Sequence, residues 1–143
     1  MKSSKRPLII DSSVAVKWLN TQDEHHLAQA DKILKDVQAG KTYLLMPELA
    51  KYEIGNALLY KQMTVPYALG SITAFYSIPI QFMPQDQQQA QLAMQLAYEH
   101  NVTFYDASFM ALAKEQHADL ITENPKHLKK KVKDLHTISL KDY

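Results

Sequence analysis

The stretch Leu8-Ile9-Ile10-Asp11-Ser12-Ser13 decides the fold. A short, continuous run of branched aliphatic residues is typical of a strand that is buried on both faces of a parallel sheet. Asp11 follows this run directly, and open α/β sheets place their ligand sites at the carboxyl ends of their strands. We therefore predict a first strand over Arg6 to Ile10, with a functional carboxylate at its end.

Apolar runs that fit strands alternate along the chain with stretches of helical periodicity. Further strands are predicted at 42–46, 79–83, 102–104, 119–122 and 135–140. Helices are predicted at 12–19, 23–39, 48–60 (with Pro47 at its start), 66–76, 86–100, 106–117 and 125–131. This alternation predicts a single α/β domain over residues 1–143, in which helices cover both faces of a mostly parallel sheet.

The composition excludes several classes of chemistry. The 143 residues include no cysteine, so disulfides, iron–sulfur clusters, thiolate zinc sites and a cysteine nucleophile are excluded. With three glycines, neither a P-loop nor a dinucleotide-binding motif can be written. No apolar stretch is long enough to span a membrane, and we expect a cytoplasmic protein.

Further carboxylates accompany Asp11 at predicted strand ends or on adjoining helices. Glu53 lies near the middle of a largely apolar helix, with Asn56 three residues on along the same face, and Asp106 follows the predicted strand 102–104. Glu123 and Asn124 follow the strand at 119–122. Because gathered carboxylates repel one another, a bound cation is the simplest reason for them to converge.

Each of these residues also has a purely structural interpretation. Asp11 could cap a helix, Asp106 could be an ordinary acidic residue of a first helical turn, and Glu53 could lie on an exposed helix face beside Lys61. Glu123 and Asn124 could belong to a solvated turn before Pro125.

Histidines and lysines give weaker signals. The six histidines show no zinc-binding spacing, so we expect them at the surface or at helix ends. The net charge is +1, but lysines cluster near the end of the chain at positions 126, 129, 130, 131 and 133. Such a run is usually a solvated helix face, although lysines there could also contact a nucleic-acid backbone.

Four segments, taken in order, resemble the PIN-domain family and in particular its VapC-type toxin ribonucleases. They are Ile9-Ile10-Asp11-Ser12-Ser13-Val14, Pro47-Glu48 through Glu53-Ile54-Gly55-Asn56-Ala57-Leu58, Tyr105-Asp106-Ala107-Ser108, and Leu120-Ile121-Thr122-Glu123-Asn124. The resemblance covers nearly the whole chain, in the order and with the spacing of that family.

The resemblance implies a three-layer α/β/α domain that cleaves RNA with Mg²⁺ or Mn²⁺ held by Asp11, Glu53 and Asp106. Ser13 and Thr122 fall where the family carries small hydroxyl or polar residues around its site. It also implies a small antitoxin protein as partner and a homodimer. In this context Lys126, Lys129 and Lys130 become candidates for contacts with the RNA backbone.

The chain departs from the family at one position. The family normally carries a further acid two residues after the threonine, and here that residue is Asn124. Glu123 is adjacent but would point differently. We therefore expect one tight metal site, with a second filled only when substrate phosphate arrives.

Three functional hypotheses follow. The first is a metal-dependent endoribonuclease, the toxin of a type II toxin–antitoxin pair. The second, favoured by Asn124, is a PIN-like domain with weakened or lost catalysis that binds nucleic acid or protein. The third, a phospho-acceptor receiver domain, is disfavoured because Asp11 has no second acid beside it after the first strand.

Overall fold

The computed structural model of the protein describes residues 5–22 and 24–143. The strands are β1 (Arg6–Ile10), β2 (Thr42–Pro47), β3 (Ile80–Met83), β4 (Asp119–Thr122) and β5 (Thr137–Ser139). The helices are α1 (Ser12–Ala15), α2 (Leu27–Gln38), α3 (Ala50–Tyr60), α4 (Val65–Ser77), α5 (Gln87–His100), α6 (Phe104–Glu115) and α7 (Pro125–Leu128). Short 3-10 turns follow α1 at Val16–Trp18 and β5 at Leu140–Asp142.

The five strands form one parallel sheet in the order β3-β2-β1-β4-β5. Leu8, Ile9 and Ile10 in the central strand are each 0% exposed, although their side chains alternate between the two faces of the sheet. Both faces are therefore covered, which confirms the α/β fold with a parallel central sheet. Among the described residues, no helix is long and apolar enough to cross a membrane.

The connectivity reverses direction at β1. The chain passes from β1 to β2 and β3 on one side, and later returns to β4 and β5 on the other. Ile10 pairs with Ile121, so the ends of β1 and β4 lie side by side. Ligands of open α/β sheets bind at such a switch point, beyond the carboxyl ends of the strands.

The strand predicted at 102–104 is wrong. Phe104 begins α6, and the Thr103 hydroxyl accepts a hydrogen bond of 3.0 Å from the backbone N–H of Asp106, which caps the helix. A three-residue apolar run does not distinguish a strand from the start of a buried helix. The capping contact settles the conformation in favour of the helix.

Two predicted helix starts are also wrong. The predicted start of α2, residue 23, lies outside the described residues. The helix begins at Leu27, and the preceding His26 has a left-handed φ of 61°. Pro47 completes β2 instead of opening a helix, because the Glu48 N–H still donates to the Met83 carbonyl of the neighbouring strand.

The sequence of α3 predicts one apolar stripe along Leu49, Tyr52, Asn56 and Leu59, but the helix buries a different face. Ala50, Ile54 and Leu58 are buried, whereas Tyr52 is 77% exposed and Leu59 73%. The large aromatic and aliphatic residues suggested an inward face, but small Ala50 and β-branched Ile54 pack inward at the same helical period.

Candidate functional site

Asp11 lies at the end of β1 and is 5% exposed. Its Oδ2 atom accepts hydrogen bonds from the Ser13 N–H at 3.3 Å and the Thr122 hydroxyl at 3.2 Å, and a short one from the Ser13 hydroxyl. Asp11 does cap α1, as its structural interpretation proposed. Capping uses only Oδ2, however, so these contacts orient the carboxylate and leave Oδ1 toward the interior of the site.

Glu53 lies in the first turn of α3 and is partly buried. Its Oε1 accepts a hydrogen bond of 2.9 Å from the Ser12 hydroxyl at the start of α1. This contact directs the Glu53 carboxylate toward the end of β1. Glu53 therefore does not lie on a fully exposed face of the helix, which was the structural interpretation of this residue. Asn56, which the sequence placed beside Glu53, is exposed.

Asp106 lies in the first turn of α6, with its side chain 18% exposed. The amide Nδ2 of Asn124 lies 3.5 Å from Asp106 Oδ1, at the limit of a hydrogen bond. Asn124 also caps α7 through Oδ1, which accepts from the Lys126 N–H at 3.0 Å. The Asn124 amide donates to the Asp106 carboxylate, whereas a carboxylate at position 124 would repel it.

His127 joins this group from α7 and is 0% exposed. Its Nε2 atom lies 3.5 Å from Asp11 Oδ1 and 3.7 Å from Asp106 Oδ1. Neither ring nitrogen has a hydrogen-bond partner. The expectation that the histidines lie at the surface or at helix ends is thus wrong for His127. The spacing from the cap residue Asn124, i to i+3, was the sequence signal that could have found it.

The charges of the site shift three pKa values. Burial alone would raise the pKa of Asp11, but His127 and the Ser13 hydrogen bonds outweigh it and lower that pKa. Burial raises the pKa of Glu53, and the charges of Asp11 and Asp106 add to the effect. Burial would lower the pKa of His127, but the adjacent Asp11 and the charges of Asp106 and Glu53 raise it. These mutual effects indicate one electrostatic cluster.

The hydroxyls of Thr122 and Ser13 hold the residues around the cluster in place through hydrogen bonds. Thr122 is fully buried, and its hydroxyl also accepts from the Asn124 N–H at 2.8 Å. The Ser13 hydroxyl accepts from the Glu123 N–H at 3.1 Å. The ends of β1 and β4 are therefore locked together by side-chain hydroxyls.

The Glu123 side chain forms ion pairs with residues outside the carboxylate cluster. Its Oε2 lies 3.4 Å from Lys17 Nζ and 3.1 Å from His26 Nδ1. Lys17 is itself buried and binds Glu24 at 2.8 Å. The geometry thus gives Glu123 a place in a neighbouring ion-pair network, one residue away from the carboxylate cluster.

The lysines of the C-terminal run lie on the outer side of the same segment. Lys126 and Lys129 are exposed and Lys130 is partly exposed, while His127 between them points inward. Helix α7 and the two residues that follow it therefore present positive charge to solvent and an imidazole to the site.

The chemistry of the donor set fits a divalent cation. Carboxylates, of which the site holds three, are ligands that Mg²⁺ and Mn²⁺ prefer. In the part of the chain that the structure describes, no three His, Asp or Glu side chains yet surround one ion position. Asp11 and Asp106 nevertheless approach Nε2 of His127 from two different elements, so side-chain rotations would bring their carboxylate oxygens together.

Comparisons with known proteins identify the family and the fold. The sequence model of the PIN domain matches residues 8–133. No curated protein matches the chain well enough to count as a relative.

Several solved structures share the fold. VapBC2 from Rickettsia felis, bound to a promoter DNA fragment, is 14% identical with a TM-score of 0.72, covering 93% of this chain and 98% of its own. A toxin–antitoxin complex from Klebsiella pneumoniae is 14% identical with a TM-score of 0.64, covering 90% and 94%. Mycobacterium tuberculosis VapC20, a toxin that cleaves the sarcin–ricin loop, is 14% identical with a TM-score of 0.60, covering 79% and 86%.

The family match covers most of the chain, and the fold is shared along nearly its whole length with structures of VapBC proteins. The protein therefore belongs to the PIN domain family.

Proposed function

We propose that the protein is an endoribonuclease that depends on Mg²⁺ or Mn²⁺, and that it is the toxin of a type II toxin–antitoxin pair. One observation carries the proposal: the Asp11 carboxylate at the end of β1 and the Asp106 carboxylate on α6 lie 3.5 and 3.7 Å from the same atom, Nε2 of the buried His127, at the sheet edge where α/β proteins bind ligands. The solved structure of VapC20, whose fold is similar, is that of a toxin that cleaves the sarcin–ricin loop.

Each carboxylate has a role in this proposal. Asp11, oriented through Oδ2 by Ser13 and Thr122, would offer Oδ1 to the cation. Asp106 would hold it from α6, and Glu53 from α3. A bound divalent ion would supply positive charge at a phosphoryl oxygen and a more acidic water as nucleophile. No side chain of the chain then needs to attack the phosphorus.

We infer one tight metal site on the protein without RNA. Asn124 provides a neutral amide where a fourth acid would add a negative charge. Three carboxylates therefore balance the positive charge of any bound cation. Calorimetric titration with Mn²⁺ should give one tight site. Two tight sites on the RNA-free protein would contradict the inference.

The exposed lysines around α7 suit a substrate with a phosphate backbone. Three of these lysines come within six residues after the site residue Asn124, namely Lys126, Lys129 and Lys130. A nucleic-acid strand that contacts them would pass beside the carboxylates. Such contacts are insensitive to sequence. They support nucleic acid as substrate, and RNA in particular is our proposal.

An exposed apolar surface on α3 and α4 suits a protein partner. Large hydrophobic side chains with more than half of their surface exposed occur repeatedly on these two helices. They are Tyr52, Leu59, Tyr60, Val65, Tyr67, Leu69 and Tyr76. Large exposed apolar side chains are common at interaction sites. We propose a small antitoxin and a second copy of the chain as partners; if a short reading frame adjoins the gene, co-expression with its product should yield a stable complex that does not cleave RNA.

The enzymatic proposal is tested with a labelled single-stranded RNA. We expect cleavage with Mg²⁺ or Mn²⁺ and none with chelator, and Asp11→Asn should reduce the rate by about a thousandfold, because loss of the metal costs several kcal/mol in the transition state. Asp31→Asn, on the exposed face of α2, is the matched control and should cleave normally.

The alternative is a PIN domain that binds without cleaving, which the amide of Asn124 favours. RNA bound with salt-sensitive affinity, and left intact across both metals, would support this alternative and contradict the first proposal.

A further inference from the structure

Packing alone does not explain the position of the His127 imidazole, whose Nε2 atom lies nearest to the carboxylate oxygens of Asp11 and Asp106. It is fully buried, and neither Nδ1 nor Nε2 has a hydrogen-bond partner. A buried polar group without partners costs about 1–3 kcal/mol. An apolar side chain at this position of α7 would avoid that cost, so packing alone does not account for a histidine.

The ring is directed into the carboxylate cluster. Nε2 lies 3.5 Å from Asp11 Oδ1 and 3.7 Å from Asp106 Oδ1. Ligand atoms around one ion with bonds of about 2.1 Å lie roughly 3.0–3.4 Å apart in octahedral and tetrahedral sites. The two observed separations are only slightly wider, so small side-chain rotations would let Nε2 share an ion with the Asp11 or the Asp106 carboxylate.

We propose that Nε2 of His127 is a ligand of the catalytic metal, and that it makes the site prefer Mn²⁺ over Mg²⁺. The inference rests on the proposed function, since it assigns a further ligand to the same site.

The preference follows from the chemistry of the donors. Mg²⁺ is a hard ion that binds oxygen and gives up its waters reluctantly. Imidazole is a softer donor and suits transition metals, whose affinities for nitrogen ligands exceed those of Mg²⁺. One nitrogen among the carboxylates therefore favours Mn²⁺, while an oxygen donor in its place would restore a site that suits both ions.

Pulsed EPR of the Mn²⁺-loaded wild-type protein gives a direct test. A coordinated imidazole produces nitrogen-14 modulation of the Mn²⁺ signal. We expect this modulation in the wild type and in His25→Gln, which removes an exposed histidine. We expect its loss in His127→Gln and His127→Glu. Because the wild-type spectrum needs no variant, the test stands even where a substitution impairs folding.

Binding constants give a second readout. Calorimetric titration of the RNA-free protein should show that the ratio of the Mg²⁺ to the Mn²⁺ dissociation constant falls at least about tenfold in His127→Glu, with His25→Gln unchanged. Circular dichroism and thermal unfolding establish that each variant is folded.

The outcomes separate this inference from the proposed function. Bound Mn²⁺ without nitrogen modulation, or an unchanged ratio in folded His127→Glu, overturns the ligand role of His127 and leaves the metal-dependent nuclease intact. A protein that binds neither ion overturns both.

Discussion

The Thr122 hydroxyl donates a hydrogen bond of 3.2 Å to Asp11 Oδ2, and thereby joins the ends of two neighbouring strands. Thr122→Val keeps the shape of the side chain, leaves Oδ2 of Asp11 to Ser13 alone and removes the acceptor of the Asn124 N–H. We expect a loss of about 1 kcal/mol in the free energy of unfolding and roughly tenfold weaker Mn²⁺ binding. Urea unfolding and calorimetry measure the two effects. Unchanged metal affinity would show that Ser13 suffices to orient Asp11.

Thr42 provides a contrasting prediction, because its buried Oγ1 has no hydrogen-bond partner. Thr42→Val removes a buried polar atom that nothing satisfies, and valine also suits a strand. We expect the free energy of unfolding to stay the same or to rise by up to about 1 kcal/mol. A clear loss in urea unfolding would mean that Oγ1 is satisfied in solution, for example by a bound water.

Lys17 is a buried cation whose Nζ lies 2.8 Å from Glu24 and 3.4 Å from Glu123. Lys17→Met leaves both carboxylates with fewer partners, and we expect a loss of about 3 kcal/mol in the free energy of unfolding. Lys35→Gln, an exposed position on α2, should change it little and serves as the control.

The pH dependence of that loss follows from Glu24. Burial would raise the pKa of Glu24, but Lys17 and Lys61 outweigh it and lower that pKa. A carboxylate with a lowered pKa in the folded state stabilises above its unfolded value, about 4.3, and loses this contribution as the pH falls through the folded value. The difference between wild type and Lys17→Met should therefore shrink in acid. A constant difference from neutral pH to pH 3 would contradict this account.

Tyr143 should make the protein sensitive to alkali. Its hydroxyl donates a hydrogen bond of 2.6 Å to Asp36 on α2. Burial and the Asp36 carboxylate raise the pKa of Tyr143 to about 12. The neutral phenol is favoured in the folded state, so its contribution is complete below the unfolded pKa of about 10 and is lost as the pH rises toward 12.

The variant Tyr143→Phe isolates this effect. We expect it to unfold about 1 kcal/mol more easily at pH 7 and to lose its disadvantage above pH 11. An absorbance titration near 295 nm, subtracting variant from wild type, should show one tyrosine that ionises late. If the difference spectrum instead follows an ordinary tyrosine, the Asp36 contact does not persist in solution.

The lysine run should contribute to RNA affinity through charge alone. Replacing Lys126, Lys129 and Lys130 with alanine removes up to three phosphate contacts, and the salt slope for single strands should fall by about 0.7 per contact. Fluorescence anisotropy of a labelled RNA at several salt concentrations measures this slope. The same number of replacements at exposed lysines 32, 35 and 41 is the control. Equal slopes in both variants would place the RNA elsewhere.

The sequence predicted those features that local patterns determine. β1 extends over Arg6–Ile10 as predicted, because a run of branched aliphatics has few alternatives in a parallel sheet. Asp11 follows from β1, since the end of a strand sets the place of the next side chain. The prediction of Asp119–Thr122 as a strand is confirmed for the same reason.

Other features depend on contacts that no local pattern contains. The Glu24 side chain before α2 binds Lys61, which lies far along the chain, as well as the nearer Lys17. The inward face of α3 depends on which side chains fit beneath it. His127 joins the site because its Nε2 atom lies near Asp11 and Asp106, which come from other elements; locally, only its i to i+3 spacing from Asn124 linked it to a candidate site residue.

The distance along the chain between Asp11 and Thr122 has a consequence for biosynthesis. Strand β1 is made first, and its neighbour β4 emerges only after 111 further residues, followed by the short helix that carries His127. A nascent chain can form α1 and β2 early, but it has no Thr122 to orient Asp11 and no α7 over the carboxylates. The cluster is therefore incomplete until β4 and α7 have left the ribosome, and any activity it supports begins only then.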